Sequence, residues 1–355
     1  MTTPAPIRSF RITVPCSTAN IGPGFDVLGI SLSLYLSLDV QIFSADTPDL
    51  PDFAMTYTGE GAANVPLVPE ENLTTRTALY VLSSYNIHEF PKPLRIHVHN
   101  PIPLGRGLGS SGAAVVAGAA LGNALGNLGL TKDRMLDYCL MVERHPDNVA
   151  AAMMGGFVAS YLRELEPAVT EKPSIPHSET LEDRNVEKGG GASQPPVGIG
   201  HYLRLGWAKE IKAIAIVPQF EVATAKARAV LPVSYGRQDV VFNLQRLAVL
   251  TTALGRSPPD ADLIYQAMQD KVHQPYRIHL IPGLPEILTT ITPAKYPGLL
   301  GICLSGAGPT ILALATDNFT EIAMAAQEVY QRVGGFDSFY KVLEVVEDGV
   351  TCVEV

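Results

Sequence analysis

Residues 103–114 read PLGRGLGSSGAA, that is Pro103, Leu104, Gly105, Arg106, Gly107, Leu108, Gly109, Ser110, Ser111, Gly112, Ala113, Ala114. Four glycines and two serines stand directly ahead of an alanine-rich apolar run. Glycine lets backbone N–H groups turn inward and approach an anion closely, and a helix starting behind them adds partial positive charge. The stretch therefore reads as a phosphate cradle, in which Ser110 and Ser111 can each cap the helix, donate to a phosphate oxygen or ligate Mg2+. The same residues satisfy GxGxxG, but a dinucleotide fingerprint needs its glycines directly after a strand, and Pro101 and Pro103 intervene. No lysine precedes the serines, which excludes a Walker A loop. A glycine-rich turn without a ligand is the plainest competing reading.

Upstream of the loop, 94–100 (LRIHVHN) alternates as a half-buried strand, and 71–85 (ENLTTRTALYVLSSY) carries a helical period. Further back, strands over 10–14 and 30–43 flank a loop over 15–29 rich in Gly, Pro and Asn. Downstream, 110–128 predicts a long helix. Its Gly118, Gly122 and Gly126, four apart, share one face. That spacing predicts close packing on a neighbour, since each glycine otherwise costs about 1 kcal/mol. Helices over 136–143 and 147–154 follow, the second opened by Pro146, and FVASYLREL resumes as a strand. Residues 164–200 lose all periodicity and read as a mobile insertion or linker. Beyond it an α/β pattern runs through a strand at 211–217, helices at 223–230, 239–254 and 260–271, and a strand pair around 301–316. A helix at 321–333 and a strand at 341–346 complete it. The chain is thus expected to comprise an N-terminal ATP-binding domain (1–163), a linker (164–206) and a C-terminal domain (207–355).

Length and composition support two buried cores: 355 residues, 46% hydrophobic and 17% charged. A formal net charge of −9 and no basic cluster argue against nucleic-acid binding. The four cysteines, Cys16, Cys139, Cys303 and Cys352, form neither a CxxC pair nor a zinc spacing. With no apolar signal core and no run long enough to span a bilayer, a soluble, unsecreted protein of the reducing cytoplasm is expected.

The loop resembles the PxxxGLGSS(A) phosphate loop of the GHMP kinases, the superfamily of galacto-, homoserine, mevalonate and phosphomevalonate kinases. VPCSTANIGPGFDVLG (14–29) and LSGAGPTILAL (304–314) are similar to that superfamily's first and last motifs and stand in its order. STANIGPGFDVLG, ERHPDNVAAAMMGGF, TAKARAVLP and QPYRIHLIPG resemble the homoserine kinase branch in particular. Cys16 and Gly112 stand where alanine is usual, and Ala151 where proline is usual; none of the three removes a functional group. The resemblance implies an α+β GHMP kinase fold, with an N-terminal ribosomal-protein-S5 domain-2-like domain and a C-terminal ferredoxin-like domain. It also implies a left-handed βαβ crossover that ordinary topology rules would reject, ATP and Mg2+ as cofactors, and a homodimer.

Homoserine carries an ammonium, a carboxylate and a hydroxyl, so a selective site needs an anion, cationic forks and a group that places the hydroxyl. Asp26, aided by Asn20, is the candidate for the ammonium. Arg228 and Arg277 are candidates for the carboxylate, because an arginine fork matches two oxygens; the resemblance implies the same roles. Turn-forming duty for Asn20 and Asp26, and a solvated helix face for Arg228, are the duller readings. By resemblance Glu143 with Ser110 or Ser111 holds the metal, Asn148 orients the hydroxyl and Asn72 contacts the nucleotide. Asp147 stays open as a base, Thr224, on the same helix face as Arg228, is a second candidate for touching the hydroxyl or γ-phosphate, and His145 reads as structural. Residues 305–310 (SGAGPT) bring tight backbone near the phosphate loop or simply close a hairpin. Competing functions are a GHMP kinase for another alcohol, a dehydrogenase, and a non-catalytic sensor on the same fold.

Overall fold

The structure, a computed structural model, describes residues 4–163 and 193–355. The 164–192 part of the expected linker lies outside the described residues. Two sheets organise the chain. In the first, β1 (Arg8–Asn20) and β2 (Gly24–Ile42) form a long antiparallel hairpin. The sequence places a loop over 15–29, but the strands run on through most of it and only residues 21–23 turn. The reason is burial. Cys16, Ser17, Thr18 and Ala19 are fully enclosed, so their backbone groups need ladder partners, and bulges at Pro15/Cys16 and Ala19/Asn20 absorb the irregular composition.

Beyond β2 the same sheet divides. The C-terminal half of β2 pairs with β4 (Leu94–Asn100), which pairs in parallel with β3 (Phe53–Gly59); α1 (Leu73–Ser83) lies between β3 and β4 in the chain. The N-terminal half of β2 pairs with β5 (Phe157–Leu162), and β5 with β6 (Gly200–Leu205). Residues 200–205, assigned from sequence to the linker, are therefore a strand of this sheet. So is β11 (Thr351–Glu354), which returns from the far end of the chain to pair with β1.

Three helices fill one side of this sheet: α2 (Ser110–Gly126), α3 (Lys132–Glu143) and α4 (Pro146–Met154). The glycine face of α2 packs on α1. A Cβ at Gly118 would lie 2.3 Å from the Thr74 carbonyl oxygen, and one at Gly122 2.8 Å from that of Ala78. The backbones can approach this closely only because those positions carry no side chain.

The second sheet is antiparallel, in the order β10-β7-β9-β8. Its strands are β7 (Lys212–Pro218), β8 (Leu299–Leu304), β9 (Ile311–Ala315) and β10 (Ser338–Leu343). Taken in chain order this is 4-1-3-2, a ferredoxin-like arrangement. Between β7 and β8 come α5 (Thr224–Ala229), α6 (Arg237–Ala253), α7 (Ala261–Ala267), α8 (Gln274–Arg277) and α9 (Leu284–Thr290); α10 (Phe319–Val329) precedes β10. All four cysteines are free, and three are buried. Among the described residues no helix is long and apolar enough to cross a membrane.

Candidate active site

A cavity of about 630 Å3 opens where the first loop, the phosphate loop, the α3–α4 junction and α5 converge. The N-cap of α2 is Gly109, in the left-handed region at φ 66°, and no side chain caps the helix. Neither serine uses its hydroxyl as a cap, so the first N–H groups of α2 stay available at the cavity wall, as anion binding requires. A side chain at Gly109 would strike Ser17 Oγ at 2.1 Å, which explains glycine there.

The loop is pinned from three directions. Leu108 O accepts from Ser17 N (3.3 Å), and Gly105 O accepts from Val222 N (3.2 Å). Ser305 Oγ donates to Gly107 O (2.6 Å) and lies 2.7 Å from Thr18 Oγ1, which must then be the donor in that pair. Thr310 N also donates to Arg106 O (3.2 Å). The 305–310 turn thus clamps the phosphate loop as well as closing a hairpin. Asn100 Nδ2 reaches both Tyr57 Oη (2.9 Å) and Ser110 Oγ (3.2 Å). It therefore offers a proton to the serine oxygen and leaves the serine's own proton free to be donated.

Beside the loop, α3 ends at Glu143, Arg144 turns through φ 57°, and α4 starts at Pro146. This tight reversal sets Glu143, Asp147 and Asn148 side by side on the cavity wall. Asn148 Oδ1 accepts from Ser17 Oγ (2.9 Å), while its backbone N donates to Asp147 Oδ1 (2.7 Å) and its Nδ2 lies 3.3 Å from that oxygen. Asp147 is almost fully buried. Burial, then the charge of Asp26, push its carboxyl up to about 7 against the pull of the Asn148 N–H and Arg228.

Asp26 and Arg228, read from sequence as separate substrate contacts, meet in a bidentate pair at 3.0 and 2.6 Å. Asn20 shapes the loop that carries Asp26: its Oδ1 accepts from Asp26 N (3.1 Å) and its Nδ2 donates to Gly306 O (2.9 Å). Asn20, Ile21 and Asp26 all have positive φ, so the turn-forming reading of Asn20 and Asp26 holds alongside any ligand role. Arg277 is nearly buried yet still lines the cavity. Burial and the neighbouring Arg228 bring its guanidinium down to about 10. Phe25 lies beneath both guanidiniums, 5.5 Å from each.

Thr224 and Arg228 both reach the cavity from α5, as do Pro103, Leu104, Gly105, Arg106, Gly107, Ser110 and Ser111 from the loop. Leu108, Gly112 and Ala113 do not line it; Leu108 and Ala113 are core side chains. Asn72 lines it, but its side chain is already engaged. Oδ1 caps α1 by accepting from Thr74 N and Thr75 N, and Nδ2 donates to Pro66 O. It therefore shapes this end of the cavity as the cap of a helix. His145 also lines the cavity, as the residue before Pro146. Tyr57, Asn100 and Phe25 were missed by sequence reasoning. Phe25 sits inside the GPGFD run and Asn100 ends a predicted strand, whereas Tyr57 lies on β3, a strand whose pattern gave no signal.

A glycine cradle at an uncapped helix N-terminus, facing an acidic wall and a pair of arginines, defines a small-molecule kinase of the GHMP type. The family described as "GHMP kinases N terminal domain" matches residues 72–156. The homoserine kinase of Saccharomyces cerevisiae is 58% identical, the match covering 97% of this chain and 99% of that one. That of Schizosaccharomyces pombe is 53% identical over the same shares. The crystal structure of homoserine kinase from Cytophaga hutchinsonii superposes with a TM-score of 0.74 at 24% identity, covering 99% of this chain and 100% of its own. This chain belongs to the homoserine kinase family.

Proposed function

We propose that the protein transfers the γ-phosphoryl group of ATP to the hydroxyl of L-homoserine, giving O-phospho-L-homoserine in threonine biosynthesis, in the cytoplasm. The observation that carries this reading is the placement, in one cavity, of an uncapped helix N-terminus beside Asn148 and the Asp26–Arg228–Arg277 group.

The glycine loop and the first N–H groups of α2 hold the nucleotide phosphates, with Ser110 donating under the direction of Asn100. The apolar wall of Tyr57, Val65, Pro66 and Leu73 takes the adenine. Mg2+ suits the donors present. Ser110, Ser111 and Glu143 offer hard oxygens at the cavity, while the described residues contain no group of three or more His, Cys, Asp or Glu that could cage an ion. Mg2+ on a nucleotide needs only one or two protein oxygens beside phosphate and water. When bound, it neutralises charge across the β- and γ-phosphates.

Arg228 and Arg277 take the substrate carboxylate and Asp26 its ammonium. The bidentate Asp26–Arg228 pair keeps both groups aligned before substrate arrives. The Ser17 hydroxyl donates to Asn148 Oδ1 and one Nδ2 hydrogen goes to Asp147 Oδ1, so Asn148 presents its second Nδ2 hydrogen to the acceptor hydroxyl and orients it without removing its proton. A loose transition state needs little deprotonation before bond making, and Asp147 is adjacent and able to hold the released proton near neutrality. Thr224 touches the acceptor side from the first turn of α5. Phosphorus NMR of a reaction with Mg-ATP and L-homoserine tests the reading: a phosphomonoester appearing with ADP in equal amounts supports it, and ADP with inorganic phosphate alone refutes it.

A further inference from the structure

Behind Arg277 lies a buried polar relay with no part in the mechanism above. Asp270 is the anchor. Its Oδ1 accepts from Asn243 Nδ2 (2.8 Å) and Val272 N (2.9 Å), and its Oδ2 from His273 N (3.0 Å) and Gln274 N (2.7 Å). That fan of donors fixes the backbone on which His273 is mounted. The His273 ring is wholly buried and stacked on Phe25, with centroids 5.4 Å apart and planes 25° apart.

Both ring nitrogens have partners of fixed character. Nε2 lies 2.8 Å from Gly22 O, a carbonyl that can only accept. Nδ1 lies 3.1 Å from Arg277 Nη1, which can only donate. One protonation state satisfies both: neutral imidazole with its proton on Nε2. An imidazolium, or the Nδ1–H tautomer, would set N–H against N–H at Arg277. Nη1 also donates to Gly306 O (2.9 Å), and Nε donates to Ala227 O (3.1 Å) on the helix that carries Arg228. His273 thus supplies the acceptor that completes the cage around the guanidinium, tying it to the first loop through Gly22.

We propose that His273, held as the neutral Nε2–H imidazole between Gly22 and Arg277, is a positioning residue that sets the guanidinium of Arg277 for the substrate carboxylate. This rests on the reading of Arg277 as a carboxylate contact, and the test separates the two. Asparagine at 273 places an acceptor where Nδ1 stands, whereas glutamine places a donor where Nε2 stands and offers Arg277 nothing.

The expected result is that H273Q raises KM for homoserine about tenfold, the worth of one lost charge-assisted hydrogen bond. KM for ATP should stay at the wild-type value, and H273N should recover most of the homoserine KM. Equal homoserine KM values for the two variants, or parallel rises for both substrates, would overturn the proposal. Independently of whether either variant folds, nitrogen NMR of the histidine-labelled wild-type protein should show a neutral Nε2–H ring assigned to His273. An imidazolium or Nδ1–H signal would overturn it. A wild-type enzyme that shows this tautomer but no homoserine turnover would instead count against the substrate assignment.

Discussion

The residues that distinguish this site act in pairs, and each pair has a measurable sign. Asp26 and Arg228 are both about one-third exposed, so their mutual attraction contributes little to stability; their value lies in alignment. Arg228→Ala should lower kcat/KM for homoserine by about 30-fold or more, since an uncompensated charge contact costs about 2–5 kcal/mol. Arg228→Lys should not restore it, because a point charge lacks the fork. Steady-state kinetics in both substrates checks this. Asp147 yields a pH prediction. Its carboxyl is raised from 3.8 to about 7 in the fold, so between those values the native state holds a proton that the unfolded chain has lost. Its effect on stability is therefore least adverse below pH 3.8 and grows as pH rises towards 7. Asp147→Asn should raise the melting temperature at pH 8 and leave it nearly unchanged at the acid end, which scanning calorimetry can measure.

At the scale of elements, the contact between α1 and α2 decides where the phosphate loop sits. In an exposed helix Gly118→Ala would stabilise by about 1 kcal/mol. Here the added methyl would meet the Thr74 carbonyl at 2.3 Å. We expect a net loss of about 1–3 kcal/mol, read by urea denaturation, with a raised KM for ATP because both helices border the cavity. The glycine spacing was legible because helical period and residue size suffice to read it. The β1–β2 hairpin was not, because its Gly, Pro and Asn content mimics a loop. What makes it strand is burial and the bonds of Ser17 and Thr18 to residues 148 and 305, which no local pattern encodes. Asn72 was legible as a helix start but not as a residue whose side chain is already committed to capping.

Across the whole molecule, the buried Ser305 hydroxyl, in the connection between β8 and β9 of the second sheet, ties that sheet to Thr18 of the first and to Gly107 O of the phosphate loop. Ser305→Ala should cost about 1–3 kcal/mol, the range for leaving a buried partner unsatisfied, and should raise KM for ATP more than KM for homoserine. The phosphate loop, the first loop and the α3–α4 junction could each be named from the sequence, since each concentrates glycine, proline or paired acids in a short run. Their convergence entered only through the family resemblance, because Asp26 and Arg228 are 202 residues apart and nothing in either segment by itself specifies the other. The return of β11 to the first sheet was hidden for the same reason. This convergence should select an amino-acid alcohol for phosphorylation. A coupled ADP-release assay with Mg-ATP and, in turn, L-homoserine, L-serine, mevalonate, galactose and no acceptor measures that selection. Rapid turnover with homoserine alone is the predicted result; equal or faster turnover with mevalonate or galactose, which lack the ammonium, would contradict it.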